Sequence, residues 1–262
     1  MNDANLVEVF SSVQGEGPYV GATTLFVRFG ECDLRCAWCD SAHTWLPART
    51  CRIETARGSA AFRTLPNPVA LDAIVEAADI LEVERHRFVS LTGGEPLLQP
   101  DAVAAVAECL GGRGPRIYLE THGLASVALE RVTARVALDV VSMDWKLVSD
   151  VRRASDPKGG AAAPFHDEHE RFLRAALAGR VGQVFVKVVV TAASEDGELD
   201  EVCARIASIA PDTPLVLQPV TPAGSVKERP TAARLLAWTR RCAEQLPDVR
   251  LIPQTHPIYD VL

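Results

Sequence analysis

Short runs of apolar and β-branched residues alternate along this chain with longer segments in which apolar residues recur every three or four positions. The short runs are almost continuously apolar, which is typical of strands that are covered on both faces or that line a barrel. They predict seven strands: Thr24–Phe29, Phe88–Leu91, Ile117–Glu120, Val136–Ser142, Val184–Val190, Leu215–Gln218 and Arg250–Ile252.

The longer segments have the period of amphipathic helices. They predict helices in Val69–Val83, Asp101–Leu110, Glu168–Leu177, Leu199–Ile209 and a last segment that Pro230 opens. Alternating strands and helices indicate right-handed βαβ units and a parallel sheet. The predicted fold class is therefore α/β, as a partial or modified (βα) TIM-like barrel, and a doubly wound open sheet is the competing architecture.

The domain organisation is predicted to be simple. A chain of 262 residues is long enough to bury a full core, and we expect one domain over residues 1–262. Two segments look like insertions into it. One, near residues 46–68, is polar and contains three prolines, and the other, near residues 150–168, includes a loop rich in Gly, Ala and Pro.

Charge and apolar run length narrow the function classes. The formal net charge is −7, whereas a nucleic-acid-binding protein usually carries a basic excess, so we expect no nucleic-acid partner. No apolar run reaches the roughly 18 residues of a membrane span. The N-terminus has no basic segment followed by an apolar one, so we expect no secretory signal and a cytoplasmic protein.

Three of the seven cysteines form a motif. Cys32, Cys36 and Cys39 have the spacing Cys-x3-Cys-x2-Cys and follow directly on the predicted strand Thr24–Phe29. An odd number of cysteines without a secretory signal argues against a disulfide framework. Of the other four, we expect Cys109 and Cys242 in the core, Cys203 as a structural residue of a helix, and Cys51 in a loop.

Thiolates are soft ligands that suit iron–sulfur clusters. Three thiolates on one loop hold three irons of a 4Fe-4S cluster and leave the fourth iron open, where the amine and carboxylate of S-adenosyl-L-methionine (SAM) can bind. The alternative is a zinc site with Asp40 or His43 as fourth ligand. Structural zinc more often uses paired Cys-x2-Cys elements, and no second pair occurs in this sequence.

A second motif follows the predicted strand Phe88–Leu91, which runs into Thr92-Gly-Gly-Glu-Pro96. Adjacent glycines let a backbone approach a ligand closely, and Glu95 adds a carboxylate that could take an ammonium group. A plain strand-to-helix turn is the alternative. Both motifs follow predicted parallel strands, so we expect them at the same end of the sheet, where ligand sites collect.

Together the two motifs resemble the radical SAM superfamily. The flanking segments Val9–Pro18, Phe26–Phe29, Cys39–Trp45 and Pro253–His256 make the ordered set similar to the 7-carboxy-7-deazaguanine synthase family. This resemblance implies a lyase of 7-deazapurine (queuosine) biosynthesis that converts 6-carboxy-5,6,7,8-tetrahydropterin to 7-carboxy-7-deazaguanine and releases ammonia, through a 5′-deoxyadenosyl radical made from SAM. The rival hypotheses are another radical SAM enzyme, such as a glycyl-radical activase, and a non-enzymatic zinc-binding module.

The resemblance also implies site residues, and no catalytic residue beyond the cluster and SAM. Cys32, Cys36 and Cys39 would hold the 4Fe-4S cluster, and Ser41, at a position where threonine is common, would bind Mg2+. The SAM residues would be Gly94, Glu95, Ser142, Asp144, Lys146, Gln218, Pro219, Val220 and Thr221. The substrate residues would be Val13, Gln14, Gly15, Glu16, Arg28, Thr92, Gln254, His256 and the terminal carboxylate of Leu262.

The partners implied are a reduced pterin substrate, a low-potential electron donor such as flavodoxin or ferredoxin, and a second copy of the chain in a homodimer. One segment departs from the family. Ser142–Lys146 is two residues longer than the Ser-Pro-Lys that many members have there, so its contacts do not transfer position by position.

Overall fold

Twelve strands and seven helices make up the part of the chain that the computed structural model describes, which is residues 3–157, 163–259 and 261. The strands are β1 (Leu6–Val13), β2 (Thr23–Phe29), β3 (Leu34–Cys36), β4 (Thr50–Glu54), β5 (Phe62–Pro66), β6 (Phe88–Gly93), β7 (Arg116–Thr121), β8 (Leu138–Asp144), β9 (Val151–Arg153), β10 (Val181–Val190), β11 (Leu215–Pro219) and β12 (Val249–Leu251). The helices are α1 (Leu71–Ile80), α2 (Pro100–Gly111), α3 (Ser126–Arg135), α4 (His166–Ala178), α5 (Asp196–Ile209), α6 (Ala232–Ala243) and α7 (His256–Tyr259).

Ten strands form one open sheet in the order β12-β11-β10-β8-β7-β6-β2-β1-β4-β5, and β3 pairs with β9 in a separate ribbon. From β2 to β12 in the sheet order all neighbours are parallel, and each of α2 to α6 lies between one strand of this series and the next in the same direction, while α1 precedes β6. Right-handed crossovers that all step in one direction put every helix on the same face. The fold is therefore a partial (βα) barrel, as predicted, and not a doubly wound sheet.

The inner face of the curved sheet is apolar at one end and polar at the other. Five buried residues, one from each of five neighbouring strands, close the apolar end: Phe88, Tyr118, Val140, Phe185 and Val216. Side chains alternate along a strand, so the residues two positions later face the same way. These residues are Ser90, Glu120, Ser142, Lys187 and Gln218. Every one of the five is polar, so the inner face changes character toward the carboxyl ends of the strands.

All seven predicted strands and all five predicted helices are present, with ends shifted by a few residues. The sequence analysis missed the helices α3 and α7 and the strands β1, β3, β4, β5 and β9. Within residues 46–68, which the sequence analysis interpreted as an insertion, β4 pairs with β1 and β5 with β4, and so both extend the main sheet. The second predicted insertion, near 150–168, contains β9 and the start of α4, and its residues 158–162 lie outside the described part.

The scattered cysteines give a mixed result. Cys242 is buried on α6, as predicted, and Cys203 is buried on α5, in a helix as predicted. Cys109 is exposed, contrary to prediction, because α2 is apolar almost all round and its pattern did not show which face meets solvent. Cys51 is buried in β4 rather than in a loop. Among the described helices, none has both the length and the apolar character that crossing a membrane requires.

Candidate functional site

A cavity of about 380 Å³ opens at the polar end of the inner face, beside the carboxyl ends of the parallel strands. Sixteen of the predicted site residues line it. They are Val13, Gln14, Gly15, Glu16, Arg28, Cys32, Cys36, Cys39, Ser41, Thr92, Gly94, Ser142, Asp144, Lys146, Gln254 and His256. The fold thus gathers residues from the two ends of the chain and from the middle in one space.

The three cysteines of the motif form one wall of this cavity, on the loop that follows β2. Burial raises the pKa of the Cys32 thiol to about 12 and that of Cys36 to about 11. The positive charge of bound iron would offset the cost of ionising these buried thiols. Three soft donors that face one space fit a cluster held by thiolates. Within residues 3–157, 163–259 and 261, no three His, Cys, Asp or Glu side chains converge as a single metal ion such as zinc would require.

The glycines of the second motif pack directly against the cysteine loop. The Gly94 N–H donates to Phe29 O at 3.0 Å, and the Glu95 N–H donates to Glu31 O at 2.7 Å. A Cβ atom on Gly94 would lie 2.1 Å from Glu31 O. Glycine is therefore required here by the approach of two backbones within the protein, in addition to the predicted approach of a ligand.

Glu95 does not line the cavity, in contrast to the predicted contact with an ammonium group of SAM. Its side chain is fully buried and accepts hydrogen bonds from Leu97 N at 3.0 Å, Thr121 Oγ1 at 2.8 Å and His122 N at 2.8 Å. The His122 ring in turn contacts Asp33 of the cysteine loop, with 2.8 Å between Nε2 and Oδ1. The Glu95 carboxylate therefore ties the ends of β6 and β7 to that loop.

A line of four charged side chains crosses the floor of the cavity: Glu16, Lys187, Asp144 and Lys146. Lys187 Nζ contacts Glu16 Oε2 and lies 3.3 Å from Asp144 Oδ2, which also accepts from Lys146 Nζ at 2.7 Å. The second carboxylate oxygen of Asp144, Oδ1, is buried and has no hydrogen-bond partner among the described residues. It therefore remains available as an acceptor to a ligand in the cavity.

The line of four is charge-balanced. Burial alone would raise the pKa of Glu16 and Asp144, but the neighbouring lysines outweigh it and hold both pKa values below the ordinary range. Burial alone would lower the pKa of Lys146 and Lys187, but the carboxylates, with Asp144 contributing most, raise both above the usual value. All four groups are therefore ionised at neutral pH.

The C-terminal segment closes the cavity against the loop after β1. Gln254 Nε2 donates to Glu16 Oε1 at 2.6 Å, and the Thr255 N–H donates to Gly15 O at 2.9 Å. A Cβ atom on Gly15 would meet the His256 ring at 2.6 Å, so only glycine permits this packing. Gln254 and His256 accordingly line the cavity, whereas Leu262 lies outside the described residues.

Among the cavity residues that the sequence analysis missed are two that carry charge, Glu120 and Lys187. Glu120 accepts hydrogen bonds from Gln14 Nε2 at 3.0 Å and from Ser90 Oγ at 2.5 Å. Lys187 holds the centre of the charged line described above. The sequence contained a signal for both residues. Lys187 is the one charged residue in the otherwise apolar run Val184–Val190, and Glu120 is the last residue of the predicted strand Ile117–Glu120.

Arg28, the predicted partner of a substrate carboxylate, lines the cavity and already has a partner in the protein. Its Nε donates to Glu8 Oε1 at 2.9 Å, and its guanidinium lies 5.7 Å from the centre of the Phe10 ring. Arg28 therefore forms a salt bridge with Glu8 within the protein. The same side chain still reaches the cavity beside Thr92 of β6.

The segment Gln218-Pro-Val-Thr221 lies at the end of β11 but does not line the cavity, although it was predicted to contact SAM. Gln218 is buried, and its Oε1 has no hydrogen-bond partner in the described part of the chain. The Val220 N–H donates to Val190 O, which extends the pairing of β10 and β11 past their ends. Of this segment, only Gln218 of β11 faces the inner side of the sheet.

Comparison with known proteins agrees with this geometry. The family model of the radical SAM superfamily matches residues 27–189. The 7-carboxy-7-deazaguanine synthase of Geobacter sulfurreducens is 38% identical over 257 residues, covering 97% of this chain and 96% of the relative. The synthase of Methanocaldococcus jannaschii is 30% identical, covering 97% and 99%. A crystal structure of QueE from Escherichia coli shares the fold, with a TM-score of 0.60, 18% identity, and coverage of 98% and 96%.

Proposed function

This chain belongs to the radical SAM superfamily and, within it, to the family of 7-carboxy-7-deazaguanine synthases, and we propose that it converts 6-carboxy-5,6,7,8-tetrahydropterin to 7-carboxy-7-deazaguanine and ammonia. One observation carries the proposal. The Gln14–Glu16 loop, the segment from Gln254 to His256 and the three cysteines of the motif all line one cavity. A cluster and a flat polar heterocycle can therefore face each other in the same space.

We propose that Cys32, Cys36 and Cys39 hold a 4Fe-4S cluster and that SAM binds beside it. When bound, cluster and SAM would supply the 5′-deoxyadenosyl radical by one-electron cleavage of SAM. Gly94, Ser142 and Lys146 line the adjacent wall, and Trp38 covers it, with the Lys146 ammonium 4.5 Å from the centre of the Trp38 ring.

The unpartnered acceptors suggest the polar contacts of SAM. Asp144 Oδ1 is buried at the cavity floor, and a buried acceptor without a partner is unfavourable by about 1–3 kcal/mol. A hydroxyl group of the SAM ribose is a donor that would satisfy it. Gln218 Oε1 is a second such acceptor, and we assign Gln218, Pro219, Val220 and Thr221 to the adenine end of SAM, beyond the cavity itself.

The pterin contacts follow from charge and shape. The Glu16 carboxylate is held ionised by Lys187, and a carboxylate is well matched to the paired N–H groups of a guanidine-like edge. Gln14 and the backbone of Val13 and Gly15 border the same position. Arg28 and Thr92 would receive the substrate carboxylate, and we retain the terminal carboxylate of Leu262 as a further acceptor.

For magnesium we propose Ser41, whose hydroxyl lies at the cavity rim. Ser41 Oγ donates to Asp40 Oδ1 at 2.8 Å, so the hydroxyl has an acidic oxygen beside it, as a hard cation prefers. Magnesium keeps several waters and substrate oxygens as ligands, and few protein ligands are needed. Its charge would balance the substrate carboxylate during the rearrangement.

The remaining parts of the proposal rest on the family rather than on a contact. We propose one functional domain over residues 1–262, a cytoplasmic location, a homodimer, and reduction by a low-potential donor of the flavodoxin or ferredoxin type. The pterin is the small-molecule partner.

Anaerobic reconstitution with iron and sulfide, followed by turnover, tests the function. We expect the absorption and EPR signals of a 4Fe-4S cluster, and product only when SAM, a reductant and carboxytetrahydropterin are all present. Cleavage of SAM without any pterin product would favour a glycyl-radical activase or another radical SAM enzyme. A protein that binds zinc tightly and forms no cluster would favour the non-enzymatic module.

A further inference from the structure

The segment that carries Asp144 and Lys146 leaves the main sheet between these two residues. β8 and β10 are last paired at Asp144 and Lys187, and the Trp145 N–H still donates to Lys187 O at 2.7 Å. The next N–H, that of Lys146, donates instead to the ring of His169 on α4, with 2.9 Å to Nε2. A helix outside the sheet therefore holds the backbone of a residue that lines the cavity.

Contacts at both nitrogens and on one face fix the His169 ring. Its Nδ1 lies 2.9 Å from Gly123 O, so a neutral ring with its proton on Nδ1 donates there and accepts from Lys146. The ring is fully buried, and the Trp145 ring lies against it, with 4.9 Å between centres and 30° between planes. Trp145 Nε1 also donates to His166 Nδ1 at 3.2 Å, in the first turn of α4. These contacts hold the imidazole in one orientation.

The beginning of α4 also packs against the cysteine loop. Phe165, the residue before the helix, forms a buried cluster with Leu34 of β3, and Cys32 and Cys36 pack against this cluster. His169 follows Phe165 by one turn, and its N–H donates to Phe165 O at 3.0 Å. One helical turn therefore contacts the loop that carries the cysteines and, through His169, the opposite segment of the cavity wall.

We propose that His169 is a positioning residue for SAM. Through the Lys146 N–H, it sets where the Lys146 ammonium and the neighbouring Asp144 carboxylate lie relative to the cysteine motif. This inference rests on the proposed function, because it requires SAM beside Lys146. His169 itself does not line the cavity. It acts through Lys146, whose ammonium donates to Asp144 Oδ2 at 2.7 Å and lies 4.5 Å from the centre of the Trp38 ring.

Burial makes this hydrogen bond important. Lys146 and Asp144 are both buried, so the positions of their charges depend on the backbone that carries them. Removing the His169 acceptor would leave the Lys146 N–H unsatisfied, which is unfavourable in a buried site, and the backbone would shift toward another partner. Asp144 Oδ1, which has no partner among the described residues, would move with it. SAM binding should therefore weaken while the cysteines keep their places.

Variants of the full chain test this role. His169→Leu removes the acceptor and His169→Gln can keep it. Leu173→Ala is the matched control, because Leu173 is also fully buried on α4 and does not line the cavity. Equilibrium dialysis of the reconstituted protein measures SAM binding, and denaturant unfolding measures stability.

We expect His169→Leu to keep its iron content and to raise Kd for SAM by about tenfold or more, the factor that corresponds to a lost buried hydrogen bond. The pterin KM should rise less than the SAM Kd. His169→Gln should restore most of the SAM affinity, and Leu173→Ala should lower stability without changing Kd.

Amide hydrogen exchange tests the same role without cluster or SAM. In the full chain before reconstitution, the peptide that contains Lys146 should exchange faster in His169→Leu than in the unchanged chain, and peptides of β11 should not. If His169→Leu does not fold, His169→Asn takes its place, because its shorter amide reaches toward Gly123 O but not to the Lys146 N–H.

An unchanged SAM Kd in the variant that lacks the acceptor, or an equal rise in Leu173→Ala, overturns the positioning role. If the unchanged chain binds SAM but makes no deazaguanine, the proposed function fails, and the comparison of Kd values still decides the role of His169. An unchanged chain that forms a cluster but binds no SAM overturns both.

Discussion

The Lys187 ammonium contacts the Glu16 carboxylate across 171 positions of sequence, and this ion pair joins the two halves of the cavity. Glu16 lies on the side of the Gln14–Gly15 loop and the C-terminal segment. Lys187 extends the contact to Asp144, on the side of the cysteine loop. The two sides therefore share one electrostatic unit, and the charge of Glu16 depends on a lysine of β10.

Replacing Lys187 with Met is expected to damage both stability and activity. Glu16 and Asp144 would lose their shared cation inside a buried site, and breaking a buried ion pair from one side costs about 3–5 kcal/mol. We expect the free energy of unfolding to fall by about 3 kcal/mol and kcat/KM for the pterin to fall by about a hundredfold. Anaerobic denaturant unfolding and dithionite-driven turnover measure the two effects.

Lys227→Met is the matched control, since it makes the same change at an exposed lysine. Lys187→Arg should restore part of the pterin activity, because it keeps the charge. A Lys187→Met enzyme with unchanged pterin kinetics would show that the ion pair is not part of the substrate site.

Asp144→Asn is expected to weaken SAM binding. The change removes the charge that Lys146 and Lys187 share and alters the acceptor Oδ1, which has no protein partner in the described chain. Hydrogen bonds to charged groups contribute about 1.5–3 kcal/mol, so Kd for SAM should rise by about tenfold to a hundredfold. Equilibrium dialysis with the reconstituted protein measures it, with Asp248→Asn, at a residue that does not line the cavity, as control. An unchanged Kd would remove Asp144 from the SAM site.

Gly94→Ala is expected to disturb the cysteine loop. The new Cβ would lie 2.1 Å from Glu31 O, one residue before Cys32, so the loop must shift. We expect a lower iron content after reconstitution and a weaker cluster absorption. Gly112→Ala is the matched control, since a Cβ there meets nothing within 4 Å and the backbone φ is −77°. Full iron content in Gly94→Ala would show that the two motifs are not coupled.

Deleting the last four residues is expected to weaken pterin binding and to spare SAM cleavage. The shortened chain would still contain Gln254 and His256, which line the cavity, but its terminal carboxylate would lie at a different position. The pterin KM should rise, while uncoupled cleavage of SAM to 5′-deoxyadenosine should continue at its former rate. A deletion that leaves the pterin KM unchanged would contradict the role of the terminal carboxylate.

Much of this arrangement follows from sequence, and the exceptions have physical reasons. The strands β6, β7, β8, β10 and β11 are largely apolar runs, so their pattern predicts buried strands directly. Strands β4 and β5 are short, lie at the sheet edge and contain exposed polar residues, so the segment from 46 to 68 resembled a loop. Their burial depends on pairing with β1, which local pattern does not encode.

The same limit applies within the site. The cysteine motif and the Gln14–Glu16 loop could be recognised from their residue types alone. The role of Lys187 depends on register, because β10 must lie beside β8 for Lys187 to face Asp144. The Glu95 carboxylate looked like a ligand for an ammonium group, but it is used by Leu97, Thr121 and His122. A carboxylate in a motif does not show by itself whether its partners are a ligand or the backbone.

His169 of α4 makes the fold sensitive to acid. It is fully buried, its Nε2 accepts from the Lys146 N–H at 2.9 Å, and Nδ1 lies 2.9 Å from Gly123 O, so the neutral ring fits both contacts. Burial lowers the pKa of His169 well below 6.5. Below pH 6.5 the unfolded chain takes up a proton that the folded chain does not, so stability is lost as the pH falls.

We expect this histidine to account for about 1.4 kcal/mol of the fall in the free energy of unfolding between pH 7.5 and 5.5. His169→Gln keeps one acceptor and one donor but cannot titrate. Between the two pH values, the free energy of unfolding of this variant, measured with denaturant, should fall by about 1.4 kcal/mol less than that of the unchanged protein. Equal slopes in the two proteins would mean that His169 is protonated in the folded state.

The central claim is that the cavity holds a cluster, SAM and a reduced pterin together, and counting product against SAM tests it most directly. The reconstituted protein is incubated anaerobically with dithionite, Mg2+, carboxytetrahydropterin in excess and a limiting amount of SAM, and the products are identified by mass. We predict many molecules of 7-carboxy-7-deazaguanine and an equal amount of ammonia for each SAM, with SAM still intact at the end. Consumption of one SAM for each turnover, or cleavage of SAM with no deazaguanine product, would contradict the account.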